Sequence, residues 1–438
     1  MVNHYPEHSD GLRLRIAVVG TGIAGNVVAH YLHRKHDITV FEANNYIGGH
    51  SNTLDVASHG EELRLDTGFI VFNDRTYPHF IDLLDKLGVE SQPSNMSFSV
   101  RCDNSGLEYN GATLNSLFAQ RRNLLRPSFH HMIRDILRFN REARAVLQQD
   151  TPQMTLAEYL ARNGYSREFV QNYLIPMGAA IWSAEPRALQ KMPARFFIRF
   201  FDNHGLLDLG DRPLWRVIRN GSRSYVQKLV AGHRERIRLN CPVQSVTRVG
   251  SKVIVRSRGN PAESFDCIFI AGHSDQALRM LSDATSLERE VLGAIPYQSN
   301  VAVLHTDETL MPRRKRAWAA WNYHVPQQDG MPLSVTYHLN RLQGLTTRQQ
   351  YFVTLNGEQR IRPASVISRI CYEHPVFNVD SVAAQSRQSE INGINLAYFC
   401  GAYWRNGFHE DGVVSALHAL ADFEQRSSHA QLHLQRAS

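Results

Sequence analysis

The sequence predicts an α/β protein in which a Rossmann-like domain, built on a parallel sheet, is interleaved with a second, α+β domain. Three observations lead there. The stretch from Arg15 to His50, RIAVVGTGIAGNVVAHYLHRKHDITVFEANNYIGGH, reads as strand, glycine turn, helix and second strand. After a long helical middle, strand-like pieces return at 237–271 and again at 396–401, the last followed by a helical pattern. A chain of 438 residues also exceeds what one compact core holds, so two domains or more are expected.

The first unit opens on apolar Ile16 to Val19, breaks into Gly20-Thr21-Gly22-Ile23-Ala24-Gly25, and resumes with helical spacing through Val28, Tyr31 and Leu32. Each glycine has a separate task. Gly20 allows the tight turn, Gly22 lets the backbone approach a pyrophosphate with no Cβ in the way, and Gly25 lets helix and strand pack closely. The helix start at Ile23 and Ala24 offers free N–H groups and a positive dipole end to phosphate. A second strand, Ile38 to Phe41, ends on Glu42, 20 residues after Gly22 and followed by Ala43. That is the spacing of a carboxylate gripping a ribose hydroxyl. A nicotinamide enzyme would usually continue into further βα units. Here the chain runs into Gly48-Gly49-His50, and a glycine pair lets the backbone pass close to a cofactor extending beyond its pyrophosphate, which points to FAD.

Along the chain, 14–92, 205–290 and 395–425 read as pieces of one discontinuous nucleotide-binding domain, and 93–204 with 291–394 as a discontinuous substrate domain. The segment 93–204 is rich in helical patterns and arginine, and a helix is expected from Gly412 to Phe423. Such interleaving places a cleft between the two domains.

Composition, 43% hydrophobic and 20% charged, is that of an ordinary soluble globular enzyme. No apolar run is long enough to cross a bilayer, and Met1 to Arg13 lack a hydrophobic signal core, so a cytoplasmic location is expected. The 5 cysteines form no CxxC pair and the 21 histidines show neither HxH nor HExxH spacing, so no metal site or disulfide framework is expected. The formal charge of +7 is unevenly spread. Arg121, Arg122 and Arg126 open a basic-apolar stretch that runs to Arg144, and Arg313-Arg314-Lys315-Arg316 precedes Trp318, Trp321 and Tyr323. Both stretches fit peripheral contact with an anionic membrane, although solvated basic faces are the commoner cause of such runs. No recognition motif accompanies the charge, which argues against nucleic acid.

Taken together, these pieces resemble the flavin-containing amine oxidases and their relatives, the protoporphyrinogen oxidases and the carotenoid or squalene desaturases. The resemblance rests on the GxGxxG turn, the strand-end acid, Gly48-Gly49-His50-Ser51-Asn52-Thr53, Asp66-Thr67-Gly68, and Phe399-Cys400-Gly401 followed by Gly407-Phe408-His409-Glu410-Asp411-Gly412 and a helix. In the middle, Pro176 to Pro186, the turn Asn220-Gly221-Ser222, and Pro242-Val243 are also similar. The likeness spans nearly the whole chain and is closest to a bacterial NAD/FAD-binding, amine oxidase-like subgroup sharing DTGFIVFN, PMGAAIWSA, FFDNHGLL and CGAYW. It implies a FAD-binding domain of the glutathione-reductase and amine-oxidase type. Two departures stand out. His50 replaces the Arg or Lys of many relatives, which would make a pyrophosphate contact pH-sensitive, and Asp411 looks inserted before Gly412.

By that likeness Gly68, Phe69 and Ile70 would line the flavin ring and the Val243 backbone would meet the adenine. Gly401 and the Gly412-Val413 turn would approach the ribityl chain and the pyrimidine edge, and a helix starting at Gly412 would aim free N–H groups there. Catalytic candidates are less specific, because the flavin accepts the hydride at N5 and the protein positions a C–H bond over it. Trp182, Tyr403, Trp404 and Phe408 are candidates for the cleft wall, with His409 as a proton acceptor or an orienting group. Aromatic residues beside a cofactor strand are, however, more often core. The leading expectation is an FAD-dependent oxidoreductase that dehydrogenates an apolar, fatty-acyl or other lipid-like substrate. The alternatives are an amine oxidase acting on a soluble amine, an NAD-linked dehydrogenase, which the carboxyl-terminal motif disfavours, and a flavoprotein partner without turnover.

Overall fold

The computed structural model describes residues 13–58, 60–148, 154–327 and 333–437; Met1 to Leu12, read above for a signal sequence, lie outside the described residues. A five-stranded parallel sheet runs in the order Ile237–Arg238, Asp37–Phe41, Arg15–Val19, Cys267–Ile270 and Ala397–Phe399. Its strands are short apolar runs because both faces are covered. In Arg15–Val19 the period of two sends Ile16 and Val18 into one core and Ala17 and Val19 into the other. The first core is closed by the helices Ile23–Leu32 and His409–Ala437, through Val27, Val28, Val413, Ala416 and Leu420. The second contains Val246, Val253, Leu281, Val291 and Leu292.

A seven-stranded sheet follows the order Val366–Pro375, Tyr297–His305, Phe352–Leu355, Ser334–His338, Trp321–Val325, Phe98–Cys102 and Leu107–Asn110. It is antiparallel except where Trp321–Val325 pairs in parallel with Phe98–Cys102. The hairpin Phe98–Asn110 interrupts a segment that reads as helical. Its strands are short and carry buried polar residues, Ser99 bonded to Asn322 (2.7 Å) and Glu108, so the apolar alternation that marks a strand is missing.

The helical layer over this sheet is cored by Phe139, Phe169, Phe197, Phe201 and Trp182. Within it Arg167–Phe169 and Ile175–Trp182 are joined by a π turn, Val170–Leu174. Pro176 has no N–H for the carbonyl four residues back, that of Asn172, and the wider turn makes room for the ring. The Tyr109 hydroxyl donates to that carbonyl instead (2.7 Å). This arrangement fixes Tyr173 on a cavity wall.

The last helix starts at His409, three residues earlier than expected. Gly412 already donates its N–H to Phe408 O (3.2 Å), so it has no free N–H group to offer. Asp411 sets the start. Its Oδ2 accepts the N–H of Phe408 (2.9 Å) and of Asn406 (3.2 Å), as a side chain in the third helical position does when it caps the turn before it. The extra residue in the motif is therefore the cap. Among the described residues no helix is long and apolar enough to cross a membrane.

Candidate functional site

A cavity of about 1100 Å³ lies between the carboxyl ends of the parallel strands and the seven-stranded sheet, the crevice where open α/β sheets bind ligands. Gly20, Gly22, Ile23, Ala24, Glu42, Ala43, Gly48, Gly49, His50, Gly68, Phe69, Ile70, Val243 and Gly401 all line it. The three turn glycines occupy three different environments. Gly20 has a positive φ of 96°, and its N–H donates to Phe41 O (2.8 Å). A Cβ on Gly25 would lie 2.0 Å from Gly20 O, so Gly25 serves helix packing and does not line the cavity. A Cβ on Gly22 would meet nothing within 4 Å and would stand in the cavity.

Glu42 is buried at the strand end. Its carboxylate accepts the Thr21 N–H (2.9 Å), the Thr21 hydroxyl and the Asn44 N–H (2.8 Å), which orients it beside the glycine turn. Three pieces of the motif meet in a knot behind the wall. Asp66 accepts the Thr53 hydroxyl (2.6 Å) and the Ser222 N–H (2.9 Å), and a Cβ on Gly221 would strike Thr53 Cγ2 at 2.5 Å. Burial raises the Asp66 carboxyl to about 6 despite these bonds. The knot holds the strand end that leads into Gly68, whose missing Cβ leaves room for His50 O.

His50 stacks on Tyr372 (4.7 Å) and meets the ring of His374 edge-on (5.1 Å). Burial, with His374, His273 and His409 nearby, holds its pKa well below the ordinary histidine value. Burial thus disfavours the protonated form expected of it, and its buried Nε2 has no partner. His409 is likewise held neutral, its pKa lowered by burial to about 3. It stacks on Phe69 at 3.7 Å, and its Nε2 is hydrogen-bonded to the Tyr225 hydroxyl (2.6 Å), which in turn lies 2.6 Å from Ser51 Oγ. A ring so placed and so weakly basic orients Phe69; it is a poor proton acceptor at neutral pH.

Trp182 and Phe408 line the cavity over Phe200, with the Trp182 Nε1–H held by Asn406 O (3.1 Å). Tyr403 also lines it, its buried hydroxyl without a partner. Trp404 does not: its indole N–H bonds Phe399 O (3.2 Å) and it packs in the core behind the sheet. Gly412 and Val413 are not on the wall either. Gly412 is the point where the last helix crosses the first, since a Cβ there would lie 2.6 Å from Ile23 Cγ2, and Val413 is core. Sequence reasoning missed His273, Glu373 and His374 on one side and Tyr173, His204, Arg212, Trp215, Trp321 and Tyr337 on the other. The phrase FFDNHGLL held the signal for His204, whose ring stacks on Phe200 at 3.8 Å. Trp321 was expected with Trp318 and Tyr323 on a membrane-facing surface, but it lines the cavity and the other two are buried; the rest carry no local pattern.

The wall fits a flavin dinucleotide. There is open space at Gly22 for a pyrophosphate, a fixed carboxylate at Glu42 for a ribose, and unpartnered buried polar atoms on His50 and Tyr403 farther along. Fold and site together define an FAD-dependent oxidoreductase. Residues 23–355 match the family model described as flavin containing amine oxidoreductase, and the chain belongs to that family. Among solved structures, cyclohexylamine oxidase from Brevibacterium oxydans IH-35A is 17% identical with a TM-score of 0.67, over 94% of this chain and 99% of that one. Putrescine oxidase bound to putrescine is 14% identical with a TM-score of 0.66, over 95% and 100%. A CLA-producing fatty acid isomerase from P. acnes is 15% identical with a TM-score of 0.63, over 94% and 98%. No curated protein matches the sequence significantly.

Proposed function

We propose that the protein dehydrogenates a C–H bond of an apolar, lipid-like substrate. The observation that carries this is the chemistry of the cavity wall. Among the described residues two carboxylates line the cavity: Glu42 beside the glycine turn, and Glu373, which stands on the strand Val366–Pro375 of the seven-stranded sheet and is turned to His273 (3.3 Å) of the nucleotide side. The substrate side is walled by Met96, Phe98, Met177, Ile181, Trp182, Leu206, Trp215 and Tyr337, with Arg212 as its charged group. An ammonium ion would find no counter-charge there and would lose its hydration, whereas a hydrocarbon gains from leaving water. The fold itself does not choose, since its solved members include amine oxidases and a fatty acid isomerase.

When bound, FAD supplies the two-electron oxidant, taking a hydride at N5. The chain's own contribution is position and dryness. Gly22 and Glu42 would hold the nucleotide end, Phe69 with the His409 ring behind it would support the flavin, and Trp182, Phe200 and Phe408 would exclude water from the reacting carbon. No lysine lines the cavity among the described residues.

The test is anaerobic mixing of the FAD-loaded protein with a phospholipid bearing unsaturated acyl chains, and separately with benzylamine and putrescine, while flavin absorbance is followed. Bleaching by the lipid alone is expected. Bleaching by an amine and none by lipid would replace this reading with amine oxidation.

A further inference from the structure

We infer that the protein docks on an anionic bilayer through a face built by two basic stretches that lie far apart in sequence. The turn Arg121–Leu125 and the turn Lys315–Ala317, with the residues just before it, come together at a second cavity of about 600 Å³ lined by Arg122, Arg313 and Arg314. The Arg122 guanidinium reaches Gly106 O (2.6 Å), while Glu108 accepts the backbone N–H groups of Arg313 (2.9 Å) and Arg314 (3.1 Å) and so pins that loop in place. Arg121, Arg122, Arg313, Arg314, Lys315 and Arg316 are all exposed. Among the described residues none of these six pairs with a carboxylate. The nearby Asp103 is taken by Arg101 (3.0 Å) and His324 (2.7 Å).

Apolar side chains stand out beside these charges. Leu114 is 77% exposed, Leu124 50% and Leu125 89%. A run of cations without counter-ions, interleaved with protruding leucines, has the chemistry of a surface that meets acidic headgroups and buries a few side chains shallowly among them. A soluble acidic protein would account for the charge but not for leucines so fully presented. The face also begins close to the large cavity along the chain. Gly111 and Ala112 form part of that cavity's wall, and Leu114 follows two residues later.

The proposal extends the lipid-substrate reading, but binding alone reads it out, so either can fail without the other. The experiment is co-sedimentation of the full-length protein with vesicles of equimolar phosphatidylglycerol and phosphatidylcholine, and with phosphatidylcholine alone, over a salt series. Binding to the anionic vesicles that weakens with salt is expected, with little to the neutral ones. At about fivefold per surface cation, Arg313→Gln with Arg314→Gln lowers the partition coefficient about 30-fold. Leu125→Gln lowers it about tenfold. Arg256→Gln with Arg258→Gln, on the strand Lys252–Ser257 and the turn after it, serves as the control of equal charge and leaves it unchanged. Absence of binding at low salt, equal binding to neutral vesicles, or an equal loss in the control would each overturn the proposal.

Discussion

Gly22 and Gly25 lie three residues apart in one motif, yet substituting each by alanine should fail in opposite ways. Gly22 has φ −63° and ψ 178°, an extended conformation open to any residue, and a Cβ added there would touch nothing within 4 Å. Alanine there lowers unfolded-chain entropy but is a poorer helix cap, so stability should stay within about 1 kcal/mol of wild type. The added methyl stands where the pyrophosphate must approach. An overpacking cost of about 1–3 kcal/mol corresponds to FAD binding weaker by about 5- to 150-fold. At Gly25 the new Cβ would sit 2.0 Å from Gly20 O and 3.1 Å from Ala271 Cβ. Neither can yield cheaply, because Gly20 is tied to Phe41 and Ala271 to Val19 by backbone bonds of 2.8 Å. Gly25→Ala should therefore destabilise the apoprotein by about 3 kcal/mol or more. Urea denaturation of the apoproteins gives the stabilities, and quenching of FAD fluorescence on titration gives the affinities. A folded Gly22→Ala protein that binds FAD as tightly as wild type would refute the placement of the pyrophosphate. A Gly25→Ala protein of normal stability would refute the packing argument.

Acid should unfold the protein early. His204, His233, His305, His324, His338 and His374 are each held at about 4 by burial, and His409 at about 3. These folded values lie below the unfolded value, so the stability is fully present above about pH 6.5 and is lost as pH falls toward 4, with uptake of several protons on unfolding. A urea midpoint that does not fall between pH 6.5 and 4.5 would contradict this. Asp411 has the opposite sign: burial raises it to about 6, so its ionisation opposes folding increasingly as pH rises from 4 to 6. Asp411→Asn keeps an acceptor for the cap and should gain stability above pH 6, bounded by about 3 kcal/mol, with no gain below pH 4. An equal change at both pH values would mean that the carboxyl does not titrate in this range.

How much of this was legible depended on whether the determinant is local. The glycine turn, Glu42 and the strands around them follow from backbone requirements within 30 residues, and each landed where the sequence puts it. The start of the last helix was misread because an apolar periodicity shows where a helix buries its face, and not which carboxylate caps it; Asp411 looked like an insertion. Trp404 illustrates a different limit. Tyr403 and Trp404 are adjacent and chemically alike, and only the short helical turn Ala402–Trp404 sends one ring to the cavity and the other behind the sheet. The state of His50 depends on burial, to which the stacked Tyr372 contributes, and on His374, His273 and His409, all more than 200 residues away, so spacing does not reveal it.

The two sides of the cavity are therefore specified by different means, and this bears on what each can reveal. The nucleotide side is made largely of backbone: turns that need glycine, helix starts that present N–H groups, and one carboxylate clamped by Thr21 and Asn44. Such features dictate sequence locally and identify the cofactor. The substrate side is made of side chains delivered by distant elements: Tyr173 by a π turn that Pro176 requires, Trp215 by a strand paired to Val71–Asn73, and Trp321 and Tyr337 by paired strands of the other sheet. None of these elements needs an aromatic residue for its own geometry. A largely apolar wall assembled from three separate parts of the chain, with Arg212 as its charged group, is what the proposed lipid-like substrate would call for.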